Sequence, residues 1–261
     1  MEYFILNFEK FMLVFSRMMG LLFIATFFSS ESMLNEARLG LCFVVTALIF
    51  PLVYIHIPAV PDDFVEYAFV AIGEGLIGVA IGFCIVIAFS VYQLAGQFFT
   101  VQMGFGASEV FDPMGQESLP LIGQYLYILA ILVFLSLQGP LLIIKEIFHS
   151  YELISFTKFL NGEYVTSNFG IISIFAKMFV IGLRISMPII GTLLLVSVTM
   201  GLLGKAAPQM NLLMVGFPIS ITVSFLLILV LLPNLVDFIS GYIDDMFKDL
   251  WFLMVDISNG K

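Results

Sequence analysis

Long apolar runs alternate with short polar breaks along the whole chain. A hydrocarbon layer about 30 Å thick needs ~20 helical residues at 1.5 Å rise each. Six runs meet that requirement, at residues 11–28, 39–57, 64–92, 121–144, 169–203 and 212–232. They are too long for strands and lack period-two alternation, so the pattern predicts an all-α fold. Several runs are interrupted: Pro51 lies in the second, Glu66 and Glu74 in the third, and Lys177, Arg184 and Pro188 in the fifth. A proline inside a helix loses a backbone hydrogen bond and costs about 3 kcal/mol unless a kink or a neighbour compensates. Kinked helices and re-entrant helical hairpins are therefore expected. Beyond Pro233 the pattern turns amphipathic, with Ile239, Ile243, Met246, Leu250 and Leu253 able to share one face while Asp237, Asp244, Asp245 and Lys248 lie elsewhere. This tail reads as a surface-lying or partner-packed helix.

Composition narrows the class. Of 261 residues 61% are hydrophobic and only 11% charged, too little polar surface to cover a water-soluble core of this size, which points to an integral or membrane-assembled protein. The net charge of −9 with scattered basic residues removes the electrostatic footprint of a nucleic-acid binder. Glu2 and Glu9 precede Lys10 and no small-residue cleavage site follows the first apolar run, so no removable signal peptide is expected. If all six runs span, Lys10, Lys145, Lys158, Lys248 and Lys261 fall on one side and Arg38 and Lys205 on the other, which would make the first side cytoplasmic. Cys42 and Cys84 sit within apolar runs without ligand spacing and read as packing residues. His56 and His149 have no catalytic or ligating partner nearby in sequence, and no HExxH, GxSxG or phosphate loop is present. Neither enzyme chemistry, a metal nor a cofactor is expected.

Four groups of residues carry candidate function. Ala71, Gly75, Gly78 and Gly82 are spaced four, three and four apart and share a helix face on which another backbone can approach closely, for subunit packing or for a direct transport role. Glu74 borders this face and must pair with a cation, be protonated or meet water. Ser90, Gln93, Gln97 and Thr100 form a polar stripe that suits either hydrogen bonding between helices or the lining of a water-filled passage. Arg17, Lys177 and Arg184 are cations inside apolar runs. Lys177 and Arg184 lie on one face about 10 Å apart, where they could snorkel, pair with Glu66, Glu74 or Asp237, or line an ion path.

The fourth group is MGFGASEVFDPMGQESLP, at residues 103–120. Gly104 and Gly106 permit unusual backbone geometry and Asp112-Pro113 followed by Met114-Gly115 is strong turn chemistry, yet Phe105, Val110 and Phe111 are bulky and apolar. Irregular backbone at membrane depth is tolerated only where protein buries it or where it borders a water-filled cavity. The segment is either an external loop or a loop folded inward to obstruct a pore.

Here the sequence resembles a known family. AGQFFTVQMGFGASEVFDPMGQESLPLIGQ, the upstream GEGLIGVAIGF, the later GKAAPQMNLLMVGFP and the opening FSRMMGLLFIATFFSSESMLNEARLGL, with Arg17 and Arg38 at basic positions, are similar to the signature segments of the FliR family of flagellar biosynthetic proteins. The resemblance implies a non-enzymatic subunit of a type III export gate in the bacterial inner membrane, at the centre of the flagellar basal body. The implied partners are the FliP and FliQ proteins, with FlhB and FlhA beside them and unfolded flagellar substrates threaded through a helical spiral. It implies a plug loop at residues 104–119, with Gly104, Phe105, Gly106, Val110, Phe111, Asp112 and Pro113 closing the pore. It further implies a FliP-like part over residues 1–168 and a FliQ-like hairpin over 169–261, turning at Lys205, Pro208, Gln209 and Asn211. Two departures stand out: Gln138-Gly139-Pro140 replaces a common Asn-Gly-His, and Lys205 stands where arginine is usual. The alternative from a different class is a secondary transporter of a small solute with a midplane site at Glu74, Lys177 and Arg184, against which no inverted repeat is visible.

Overall fold

A computed structural model describes residues 7–25, 34–57, 60–61, 63–104, 121–154, 170–209 and 211–259. Every regular element among them is helical: α1 (Phe8–Ile24), α2 (Asn35–Val53) with a 3-10 turn (Tyr54–His56), α3 (Phe64–Met103), α4 (Leu121–Ser136), α5 (Gly139–Leu153), α6 (Gly170–Ala206) and α7 (Leu212–Asn259). Where hydropathy predicts six spans, four helices among the described residues are long and apolar enough to cross a membrane, namely α2, α3, α6 and α7, and α4 with α5 makes a fifth only as a bent pair.

Several hydroxyl side chains inside these apolar helices satisfy themselves locally. Thr46 donates to the Cys42 carbonyl at 2.7 Å, Ser186 to Gly182 at 2.6 Å and Thr192 to Pro188 at 2.8 Å. Such back-bonding is how serine and threonine are tolerated away from water. α6 runs through Pro188, and α7 runs through both Pro218 and Pro233. The amphipathic tail is therefore not a separate helix but the end of one 48-residue helix.

The run at 121–144 is broken instead. Continuing the helix would set the Pro140 ring against the Ser136 carbonyl and remove that carbonyl's donor. Gln138 escapes with a left-handed φ of 57°, and α5 restarts with the proline in its first turn, where a missing N–H costs nothing.

The chain divides into two compact units. One comprises Met1–Ala88, Gln138–Ile174 and Ile243–Lys261; the other comprises Phe89–Leu137 and Phe175–Tyr242. In the first, Leu13, Val14, Met18, Leu21, Ile49 and Phe50 are buried, and Phe11 packs edge-on against Phe43 and Phe50 at 5.4 and 5.6 Å. In the second, Phe89 meets Phe134 edge-on at 5.5 Å and Tyr92 meets Tyr242 at 6.1 Å. There α3 and α4 cross in backbone contact: a Cβ on Gly96 would lie 2.0 Å from the Cα of Gly123.

Much apolar surface is left uncovered by the chain itself. Only 11% of the most apolar stretch of α7 is buried, and Leu195, Leu202, Leu229 and Val230 stand mostly exposed on α6 and α7. Such surface needs lipid or another protein against it.

Candidate functional site

The first unit is organised where α1 lies on the small-residue face of α3. A Cβ on Gly20 would fall 2.2 Å from the Gly75 carbonyl oxygen, one on Gly78 1.9 Å from the Arg17 carbonyl oxygen, and one on Gly82 2.9 Å from that of Leu21. These separations are far below contact distance, so the two backbones touch because neither helix carries a side chain there. Ser16 adds a hydrogen bond across the seam, its Oγ donating to the Ala71 carbonyl at 2.6 Å.

This approach lays Arg17 beside Glu74. Arg17 is 1% exposed and Glu74 is fully buried. The guanidinium Nε donates to Glu74 Oε2 at 2.7 Å, and Nη2 forms an ion pair with the same oxygen. Two further donors reach α5 and its end: Nη1 to Ser150 Oγ at 3.0 Å and Nη2 to the Ile154 carbonyl at 3.1 Å. The Ser150 hydroxyl in turn donates a hydrogen bond to the Ile147 carbonyl at 2.7 Å. The Tyr151 ring lies 3.8 Å from the guanidinium carbon, in the range of a cation–π contact. The planar fork of arginine thus serves three helices at once, which the single point charge of a lysine could not do. Among the described residues, Glu74 Oε1 and the Tyr151 hydroxyl are buried without a hydrogen-bond partner.

Chemically, the arrangement is a fastening. An isolated charge moved out of water costs several kcal/mol, and here each charge is compensated only if α1, α3 and α5 are all in place. Nothing in it resembles a catalytic constellation, and among the described residues no group of His, Cys, Asp and Glu is arranged to hold a metal ion. Cys42 and Cys84 are buried free thiols.

The remaining sequence candidates fall as follows. Ala71 and Gly75 are half-buried and Gly78 and Gly82 buried, all on α3. In the polar stripe, Gln93 and Gln97 are exposed, Ser90 is half-buried, and Thr100 donates back to the Gly96 carbonyl at 2.7 Å. Lys177 and Arg184 are both exposed on α6. The turn between α6 and α7 exposes Lys205, Pro208, Gln209 and Asn211, and Asn211 caps α7 by accepting from the Met214 N–H at 3.4 Å. Of the proposed plug residues only Gly104 is described. Its φ of +84° suits glycine, and a Cβ there would fall 2.4 Å from the Phe217 ring. Phe105, Gly106, Val110, Phe111, Asp112 and Pro113 lie outside the described residues.

Sequence reasoning missed Gly20, Ser150 and Tyr151, and the Gly96–Gly123 crossing. Gly20 is three residues past Arg17, on the same helix face, which was a usable signal. Ser150 and Tyr151 carried none, because their partner is 133 residues or more away along the chain.

Residues 8–246 match a model of the bacterial export proteins, family 1. Full-length relatives agree. The chain is 30% identical over 251 residues to a flagellar biosynthetic protein FliR of Pectobacterium carotovorum, covering 95% of this chain and 92% of the relative. It is 30% identical over 227 residues to that of Bacillus subtilis, covering 85% and 86%, and 28% identical over 247 residues to that of Escherichia coli, covering 92% and 89%. With a match running from α1 well into α7, the chain belongs to the bacterial export proteins of family 1, the FliR family.

Proposed function

We propose that this chain is a non-enzymatic structural and gating subunit of the flagellar type III protein export apparatus, in the bacterial inner membrane at the centre of the basal body. The observation that carries this reading is the family match over residues 8–246, together with relatives bearing the name of a flagellar biosynthetic protein along almost their whole length. In this reading the chain builds the export channel with FliP and FliQ, meets FlhB and FlhA, and lets unfolded flagellar substrates pass. Residues 1–168 form the FliP-like part, residues 169–261 form the FliQ-like hairpin, and the segment at 104–119 closes the passage. The uncovered apolar faces of α6 and α7 support it, since a subunit of an assembly needs neighbours where a self-contained bundle does not. A passage wide enough for protein would leak ions without an obstruction, which gives the segment after Gly104 its role.

The transporter reading needs Glu74 as an available carboxylate, and Arg17 occupies it. Two measurements test the proposal. A tagged chain should copurify with FliP and FliQ; isolation as a homo-oligomer alone would overturn it. Deleting residues 106–116 while assembly is retained should raise ion conductance, and unchanged conductance rejects the plug.

A further inference from the structure

The two faces of α6 differ. Its inner face lies on α3: a Cβ on Gly182 would fall 3.1 Å from Leu94 Cδ2, Ser186 donates to the Ala95 carbonyl at 3.4 Å, and Ile185, Ile189 and Leu193 are buried. Its outer face is bare. At alternating spacings of four and three residues, Val180, Arg184, Met187, Gly191, Leu194 and Val198 are all exposed. A 3.5-residue repeat is the pattern by which one helix seats another along its length. A Cβ on Gly191 would meet no atom within 4 Å, so a second backbone has room to approach there.

Arg184 lies within this face, and Val180, Leu183 and Met187 around it are apolar and exposed. Among the described residues no group accepts a hydrogen bond from its guanidinium. Lipid alone does not account for such a surface. The apolar stretch of α6 is 35 residues long, Ile172–Ala206, and exposed apolar side chains run along it from Ile172 to Leu203. A bilayer takes about 17–25 helical residues. If the lipid-covered part includes Arg184, a guanidinium that never loses its charge stands in hydrocarbon. If that part begins after Arg184, Phe175, Phe179, Val180 and Leu183 stand bare in water. In both cases the stretch around Arg184 needs protein against it, and the arginine needs an anion within that protein.

We propose that the outer face of α6 receives a helix of a neighbouring subunit, apolar along its contact face and carrying one carboxylate level with Arg184, and that this ion pair fixes the register of the two helices. The inference rests on the reading of the chain as an export-gate subunit. Guanidinium and carboxylate meet through two parallel N–H···O bonds, a geometry that lysine does not supply. One charged pair in an otherwise apolar seam also rejects wrong registers, because sliding by a turn leaves both charges against hydrocarbon.

The complex of the full chain with FliP and FliQ, purified in detergent, tests this. Arg184→Glu should lower the recovered partners about tenfold or more, as expected when one member of a covered charge pair is reversed. A benzoylphenylalanine photo-crosslinker in place of Met187, in a chain that keeps Arg184, should join a partner peptide with an Asp or Glu within one helical turn of the joined residue. Reversing that carboxylate to lysine should restore the partners to Arg184→Glu. A parent chain that captures neither partner overturns the subunit reading and this inference with it. Full recovery of partners by Arg184→Glu overturns this inference alone, and so do crosslinks only to lipid or to a peptide without an acidic residue.

Discussion

Replacing Arg17 by methionine tests the fastening of the first unit most directly. Methionine preserves much of the side-chain length but removes the Glu74 ion pair and the hydrogen bonds to Glu74, Ser150 and Ile154 in one step. Glu74, with no exposed surface, is then a carboxylate without a counter-charge. Removing one member of a buried pair costs about 3–5 kcal/mol, whereas replacing both members by apolar residues is often neutral or stabilising. Arg17→Met alone should therefore destabilise strongly, and Arg17→Met with Glu74→Leu should recover most of the loss. At ~2–4 °C per kcal/mol for a chain of this size, the single variant should melt about 10 °C lower and the double variant within about 3 °C of the parent. The protein supplies its own probes: Cys42 and Cys84 are buried free thiols that become reactive to a fluorogenic maleimide on unfolding. A single variant that melts within 3 °C of the parent would refute the reasoning. So would a double variant no better than the sum of the two single losses, since a coupled pair must show non-additivity.

Two further substitutions probe backbone contacts. Gly78→Ala places a methyl 1.9 Å from the Arg17 carbonyl oxygen, so α1 must shift, and a loss of about 1–3 kcal/mol is expected in the same thiol-reactivity melt. Gly104→Ala meets both a positive φ and the Phe217 ring; it should lower stability by about 1–3 kcal/mol, and adding Phe217→Ala should restore only the steric part, leaving the backbone penalty measurable.

The fold class was readable because apolar runs of helical length leave few other solutions, and the 3.6-residue period alone sets Ala71, Gly75, Gly78 and Gly82 on one face. What that face meets was not readable, because α1 is selected by Gly20, a residue whose importance appears only once the two helices are side by side. The same holds for Glu74. Its need for a counter-charge followed from the cost of burying it, but Arg17, Lys177 and Arg184 were equal candidates until packing chose one. Proline pointed to kinks and hairpins without saying which helix would break. Pro188, Pro218 and Pro233 sit inside helices that continue, whereas Pro140 coincides with a break because Gln138 ahead of it turns left-handed, a choice local propensity does not announce. The histidines show the same limit: each looked solitary in sequence, and only tertiary proximity supplies Glu152 to both.

The reach of Arg17 also sets a timetable for synthesis. Its last hydrogen-bond acceptor lies 137 residues downstream, and at ribosomal speeds of about 5–20 residues per second that residue emerges roughly 7–27 s later. For that interval the amino-terminal helix carries a guanidinium whose full set of acceptors does not yet exist. The nascent chain must keep this end near water, or in the care of the insertion machinery, until α5 arrives.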